Sequence, residues 1–278
     1  MIYLIYTIIV QYCCNVATAQ QNFLKFGVFM LGTIRKTGDI LELFGRDAPE
    51  WGVSEVSERL GSAKSSTHDL MSSLAEIGLL QQTDKGRYRL GWKLVDLGQT
   101  LLATTELRAV ARPVLEELSA EYRESIQLGL MDAGMVIYLD KVEGKQPIRV
   151  ELNEFGPRIH PHCTAIGKIL LAGQPWSQIE EIVTRNELVR MTENTITHLE
   201  QLKIEVARVR EEGFAFDMEE MMLDLCCVAA PVRDFTGRIV AAISQSVPAY
   251  RFQRSRNELR RGTVNAAHQI SRRLGYYR

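Results

Sequence analysis

The sequence predicts an α+β protein with an N-terminal winged helix-turn-helix, a linker helix, and a C-terminal domain whose helices pack on an antiparallel sheet. Three observations carry this expectation. Between residues 31 and 91, three helix-period segments, the last two split by a tight Gly-containing turn, precede two short extended runs around "DKG". Residues 92–106 then place Leu94, Leu97, Leu101 and Leu102 on one stripe of a continuous helix. Beyond residue 107, period-two runs stand at both ends of the region with helical stretches between them. The expected organisation is an extra N-terminal segment at 1–30, a winged helix-turn-helix at 31–91, a linker at 92–106 and an α+β domain at 107–278.

The first stretch, "MIYLIYTIIVQYCCNVATAQ", is the compositional outlier. Its apolar run of about ten residues is half of what a bilayer requires. It also lacks the Lys or Arg that opens a secretory signal, although "ATAQ" faintly resembles a cleavage site. The favoured reading is a translation start set too far upstream, with Met30 as the alternative start; a poor signal sequence and an extra assembly element stay open. A tethered membrane sensor would rest on this segment alone.

In the N-terminal module, Ile34, Ile40, Leu41 and Phe44 give the first helix one apolar side, ahead of the loop "GRDAPEWG". Ser54 is the expected cap of a second helix with Val53, Val56 and Leu60 inward and Gly61 at its end. A third helix, about Lys64 to Ile77, is expected to bury Leu70, Leu74 and Ile77 and to expose Ser65, Ser66, His68 and Asp69 at its start. "LLQQT" and "RYRL" complete a hairpin. In such a module the third helix enters the major groove and the hairpin tip lies on phosphates.

Charge qualifies that reading. Residues 31–100 hold nine Lys plus Arg against ten acids. Six of those acids precede the third helix, whereas Lys64, Lys85, Arg87 and Arg89 lie on that helix and the wing. A basic edge on a neutral domain makes few phosphate contacts per subunit, so a dimer is needed. The candidate DNA-contacting residues are Lys64, Ser65, Ser66, Thr67, His68, Lys85 and Arg87, whose side chains donate to phosphates or base edges. A small helical module that binds protein instead is the competing reading.

Further on, "LRAVARPVLEELSAEYRES" is a helix bent or started by Pro113. "SIQLGLMD", "MVIYLDKV" and "IRVEL" read as strands, the first two joined across "DAG". "THLEQLKIEVARVREEG" is a helix ending at Gly213, and "CCVAAPVRD" and "GRIVAAISQSV" form a hairpin across "DFTG". Residues 251–278 carry eight Arg against Glu258 alone, with Leu259, Ala266, Ala267, Ile270 and Leu274 as the buried face. That segment reads as a terminal helix with a solvated basic side rather than a second nucleic-acid contact.

"HCTAIGKILLAG" (162–173) looks like half of a nucleotide-binding loop. The position five before its Gly-Lys pair is His162 rather than Gly, and Ile169 follows the lysine where a metal-binding hydroxyl belongs. What survives is a helix start whose free N–H groups suit an anion. Cys13, Cys14, Cys163, Cys226 and Cys227 show neither a disulfide framework nor CxxC spacing, which fits a reducing cytoplasm. Cys163 or Cys227 with His160 or His162 could form a Cys-His nucleophile or part of a zinc site, but "CCVAAPV" is apolar and HxHC is not a common metal signature. No cofactor is expected. The net charge of −1 gives no global attraction to nucleic acid or membrane.

The series "VSEVSERLGSAKSSTHDLMSSLAEIGLLQQTDKGRYRLGWKLVDLG", "HCTAIGKILLA" and "EEGFAFDMEEMMLDLCCVAAPVRDFTGRIVAAIS" resembles the isocitrate lyase regulator (IclR) family of bacterial transcription factors over about residues 31–275. The resemblance implies a dimerising linker helix and a GAF-like effector-binding domain. It also implies dimers or tetramers on palindromic double-stranded operators, repression in most members, and control by small organic acids. The effector positions it implies are Ala165, Ile166, Asp217, Cys227, Ser244 and Ser246. Ser244 and Ser246 are two apart in a strand and so share a face. In this reading N–H groups at 165–168 and both serine hydroxyls hold a carboxylate, while Asp217 accepts from a ligand hydroxyl. Two departures stand out. Asp69 occupies a recognition-helix position where the family often has Arg, and Asp224 replaces a usual Gly, adding a charge near the pocket if it points inward.

Overall fold

The computed structural model describes residues 31–146 and 158–277, which form two compact units, one running to Gln99 and the other from Thr100. The first 30 residues and the strand expected at 148–152 lie outside the described residues. The division falls inside the helix that the sequence marks as the linker.

The first unit contains α1 (Gly32–Glu42), α2 (Val53–Arg59) and α3 (Lys64–Glu76), followed by the antiparallel wing of β1 (Leu80–Gln82) and β2 (Tyr88–Leu90). Ile40, Val56, Met71, Leu74, Leu80 and Tyr88 form its core. Trp51 adds a one-residue third strand to the wing by exchanging two backbone bonds with Tyr88, and its indole N–H donates to Leu43 O. At the wing turn, Gly86 has φ 72°, a left-handed conformation that only glycine adopts without strain.

Three local expectations are corrected. Ser54 does not cap α2; the Glu55 carboxylate takes the Gly52 N–H instead, at 2.8 Å. Ile77 is 60% exposed because α3 ends at Glu76 and the chain turns away, leaving Thr67, Met71 and Leu74 as the inward residues. The helix containing Pro113, α5, runs unbroken from Glu106 to Tyr122, so proline neither starts nor ends it. Preceding it is the linker helix α4 (Lys93–Thr104).

The second unit is organised by a five-stranded sheet ordered β4-β3-β7-β6-β5, with every pairing antiparallel. Its strands are β3 (Ser125–Asp132), β4 (Met135–Val142), β5 (Ala215–Met218), β6 (Leu225–Arg233) and β7 (Ile239–Pro248). One face packs on α5 and the terminal helix α9 (Ala249–Arg273) through Leu115, Leu128, Val232, Ile243 and Ile270. The other packs on α6 (Ala165–Ala172), α7 (Trp176–Asn186) and α8 (Leu199–Glu212) through Ile166, Ile169, Val209, Cys227 and Ala242. Strand alternation produces both faces: on β7, Gln245 bonds Leu259 O and Thr263 of α9, while Ser244 and Ser246 turn toward the α6 side.

Gly167 explains the Gly-Lys pair. A Cβ there would lie 2.2 Å from Pro161 O, so the glycine lets the first turn of α6 press against the 3-10 turn Pro161–Cys163. Gly167→Ala should lower the unfolding free energy by about 1–3 kcal/mol or more through forced backbone movement. Chemical denaturation of the two proteins checks this, with an unchanged midpoint as the contrary result.

Candidate functional site

Two groups of residues carry chemistry. The first is on the N-terminal unit. Lys64, Ser65, Ser66 and His68 are exposed on the opening turns of α3, and Ala63 at its N-cap offers no side-chain acceptor. The first N–H groups of α3 therefore have neither an intrahelical nor a capping partner, which suits a phosphate. Lys85 is exposed at the wing tip. Asp69 is also exposed, with His68 Nδ1 at 3.6 Å from its carboxylate.

Two residues expected on this surface are placed elsewhere. Thr67 is 1% exposed, its hydroxyl bonded to Ser62 Oγ and Ala63 O, so it fixes the helix start from the inside. Arg87 grips both oxygens of Glu55 at 2.7 and 3.1 Å and donates to Glu50 O. It ties the wing base to α2, so its guanidinium is already engaged within the fold.

The second group lies under α6. Register aligns Asp217, Cys227, Ser246 and Ser125 in one row across β5, β6, β7 and β3, with Ala229, Ser244 and Gln127 in the next. Ser244 Oγ and Ser246 Oγ each donate to Gln127 Oε1 at 3.0 Å, and Cys227 Sγ lies 3.3 Å from Ser246 Oγ. Both serine protons are thus directed at Gln127, and the donor left over is its amide nitrogen. Gln127 Nε2 is buried with no partner. Such an amide costs roughly 1–3 kcal/mol, which an incoming acceptor would offset.

Helix α6 covers this wall. Ile166 packs so closely on Gly129 of β3 that a Cβ there would sit 2.9 Å from the isoleucine. Thr164 Oγ1 caps the helix by accepting the Gly167 N–H at 3.0 Å, and Lys168 N bonds Thr164 O. The expected anion cradle at 165–168 therefore narrows to Ala165 and Ile166, whose N–H groups have no intrahelical acceptor.

Lys168 is 1% exposed and far from phosphate chemistry. Its ammonium donates to Phe216 O at 2.9 Å and Glu220 Oε1 at 2.5 Å, with Glu205 at 3.2 Å. Asp217 Oδ1 accepts the N–H of Glu220 at 2.8 Å, closing the turn after β5. Burial, aided by the nearby Glu220 charge, pushes the Asp217 carboxyl up to about 7. Asp217 is thus a turn brace that is partly protonated near neutrality, rather than a free acceptor for a ligand hydroxyl. Asp224, by contrast, is exposed at φ 63°, a left-handed backbone that favours glycine, so its charge stands in solvent.

The Cys-His and zinc readings lose their basis in this arrangement. Burial pushes the thiols of Cys163 and Cys226 up to about 12 and that of Cys227 well above its ordinary value. His162 Nε2 faces Val189 O at 2.9 Å, so that nitrogen carries its proton and is engaged by the carbonyl. Among the described residues, no three His, Cys, Asp or Glu side chains group to hold a metal. No helix among them is long and apolar enough to cross a membrane.

Residues 33–84 match the IclR helix-turn-helix domain, and residues 99–272 match the family described as Bacterial transcriptional regulator IclR C-terminal. The chain is an IclR-family transcriptional regulator. This regulator is 31% identical over 249 residues to the HTH-type transcriptional regulator XynR of Escherichia coli, covering 89% of this chain and 98% of XynR. It is 32% identical to KdgR of the same organism over 89% and 94% of the two chains. The crystal structure of Thermotoga maritima IclR superposes with a TM-score of 0.65 at 32% identity, covering 88% of this chain and 99% of that one. These relatives are transcriptional regulators rather than enzymes. The chain is accordingly a DNA-binding regulator with an α+β C-terminal domain of the family's effector-binding type.

The Gln127 amide escaped the sequence reading, although its signal was present: a polar residue between Ile126 and Leu128 lies on the opposite sheet face from both. The raised Asp217 carboxyl makes a testable statement about pH. Its folded pKa exceeds the unfolded value, so the folded protein holds the extra proton and its stability declines as pH rises from about 4 to about 7. Asp217→Asn keeps an acceptor for the Glu220 N–H and should flatten that decline, leaving the variant more stable than the parent at pH 8. Thermal melts across pH check it; parallel curves for the two proteins would contradict it.

Proposed function

We propose that this regulator represses a catabolic operon and senses a small organic acid on the α6 side of its sheet. The observation that carries the sensor half is the unpartnered Gln127 amide nitrogen, whose side-chain oxygen takes both serine hydroxyls, on the sheet face that α6 covers. A carboxylate there accepts from Gln127 Nε2 and from the Ala165 and Ile166 N–H groups, and the serine hydroxyls can rotate to join them. Cys227 forms the apolar part of the wall, and Asp217 braces the turn behind it. A polar hydroxylated or aromatic acid suits this mixture of donors and apolar surface, and the protein works in the cytoplasm, where such metabolites are found.

The DNA half of the proposal uses Lys64, Ser65, Ser66 and His68 at the major groove and Lys85 on the backbone. Trp92, Leu97 and Leu101 are 75%, 52% and 66% exposed beside or along α4. Such a stripe is stable in water only when covered, which supports a seam between two copies at residues 92–106 and a palindromic operator. Tetramers would pair two such dimers.

Two measurements test the proposal. A thermal-shift screen of the full chain against small organic, sugar and aromatic acids should give a hit, because a ligand at 100 times its Kd adds about 2.7 kcal/mol of stability. Ser246→Ala and Gln127→Leu should each weaken that hit at least tenfold, and a hit indifferent to both would overturn the site. Separately, Lys85→Ala should weaken operator binding evenly across sequences and reduce its salt slope by about one per subunit. Changing Ser66 to Ala should instead alter sequence preference in a competition assay, and loss of neither property would return the surface to a protein-binding role.

A further inference from the structure

A second cleft lies on the opposite side of the β5 turn from the Gln127 wall, between α8, β5 and α9. Its volume is about 590 Å³, within the range of small-molecule sites. The cleft is chemically uneven. Its four cations are Lys168, Arg208, Arg256 and Arg260, and its three acids are Glu205, Glu212 and Glu220. Lys168 and Arg208 between them pair with all three acids. That leaves Arg256 and Arg260 as the guanidiniums with no ion pair among the described residues.

Those two arginines are nonetheless held in place. Arg256 stacks on the Phe216 ring, 4.2 Å from its centroid, and Arg260 lies 5.0 Å from the centroid of Phe214. The two rings meet edge to face at 5.2 Å. Stacking on a ring fixes a guanidinium plane while leaving its N–H fork open, the arrangement suited to receiving a carboxylate. At the floor stands a second, independent feature. Glu220 is 6% exposed; one of its oxygens binds Lys168, and Oε2 has no hydrogen-bond partner. A buried carboxylate oxygen without a donor is an acceptor awaiting one.

The geometry points to a second small-molecule site here, for a carboxylic acid bearing a hydroxyl, its carboxylate on Arg256 and Arg260 and its hydroxyl donating to Glu220 Oε2. The site is distinct from the Gln127 wall but shares the segment 216–221 with it. Asp217 braces the turn toward the sheet, and Glu220 three residues later binds Lys168 of α6, so occupancy of the cleft bears on the helix that covers the first site.

The test is isothermal titration calorimetry on the full chain with two pairs of acids, malate against succinate and lactate against propionate, each pair differing by the hydroxyl. At least one hydroxy acid should bind, and more tightly than its partner. The double variant Arg256→Ala with Arg260→Ala should weaken that binding at least tenfold, while Ser246→Ala leaves it within twofold. Glu220→Gln keeps an oxygen for Lys168 but replaces the free acceptor with a donor, so the preference for the hydroxylated acid should vanish. The proposal is overturned by no binding of either hydroxy acid, by binding indifferent to the arginines, or by binding lost with Ser246→Ala, which would place the acid on the sheet wall instead. Sedimentation of the arginine variant adds a further arm: a change of oligomeric state without any acid binding would make the cleft a contact between copies and also overturn it.

Discussion

Lys168 sits 1% exposed at the centre of the second unit, with its ammonium shared among Phe216 O, Glu220 and Glu205. Removing an ammonium from water costs several kcal/mol even after relaxation, so this lysine is tolerable only with its partners in place. Each partner comes from a different element: β5 gives the carbonyl, the turn after it gives Glu220, and α8 gives Glu205. The constraint thus runs outward from one nitrogen. It sets the position of α6, the depth of the turn at 216–221, and the orientation of α8 across the sheet. Burial of that turn, with the Glu220 charge three residues away as a lesser cause, is why Asp217 holds a proton near neutral pH, even though the Lys168 charge works the other way.

The polar wall is compatible with a solid core because strand alternation confines it to one side. On β3, Gln127 faces α6 while Ile126 and Leu128 face α5 and α9. On β7, Ser244 and Ser246 face α6 between Ile243 and Val247 on the other side. The rear layer is mainly apolar, and its buried polar residues bond locally: Gln245 Nε2 donates to Leu259 O and Thr263 Oγ1, Ser271 Oγ to Ala267 O and Ser119 Oγ to Glu124 O. Stability can be concentrated in that rear layer. The front layer can then carry an unsatisfied donor and the carboxyls of Asp217 and Glu220, both pushed up by burial, the usual location of binding chemistry in a stable fold.

Much of this was legible in the chain. β3 and β4 have the bounds that alternation and "DAG" predict; β3 is buried on both faces at its start, yet its polar Gln127 between Ile126 and Leu128 still writes the strand period into the sequence. β5 was missed because "AFDM" is only four residues long and follows a helix without a turn of its own type. Thr67 was misplaced for a different reason: a helix start rich in hydroxyls does not reveal which one points inward, and here Ser62 supplies the partner that draws Thr67 in. The Gly-Lys pair looks like half of a nucleotide-binding loop, and nothing local announces Glu220, 52 residues away, as the partner of Lys168. Long-range polar pairs leave no periodic trace, and Gln127 with Ser244, 117 residues apart, is the same case.

Charge also determines how the proposed DNA reading must work. Of the basic residues expected at the interface, Arg87 is held by Glu55 and Glu50, and the exposed Asp69 opposes phosphate. In the proposed reading one module has Lys64 and Lys85 as its cationic contacts, backed by uncapped N–H groups and hydroxyls. Because each phosphate neutralised contributes about one unit of salt slope, a single module of this kind binds weakly at physiological salt. Two modules joined rigidly double the exponent rather than the affinity, and the exposed apolar stripe of α4 is the feature that could join them. In that arrangement the DNA surface is free to stay nearly neutral, so non-specific binding is low, and the two α3 helices supply the sequence preference.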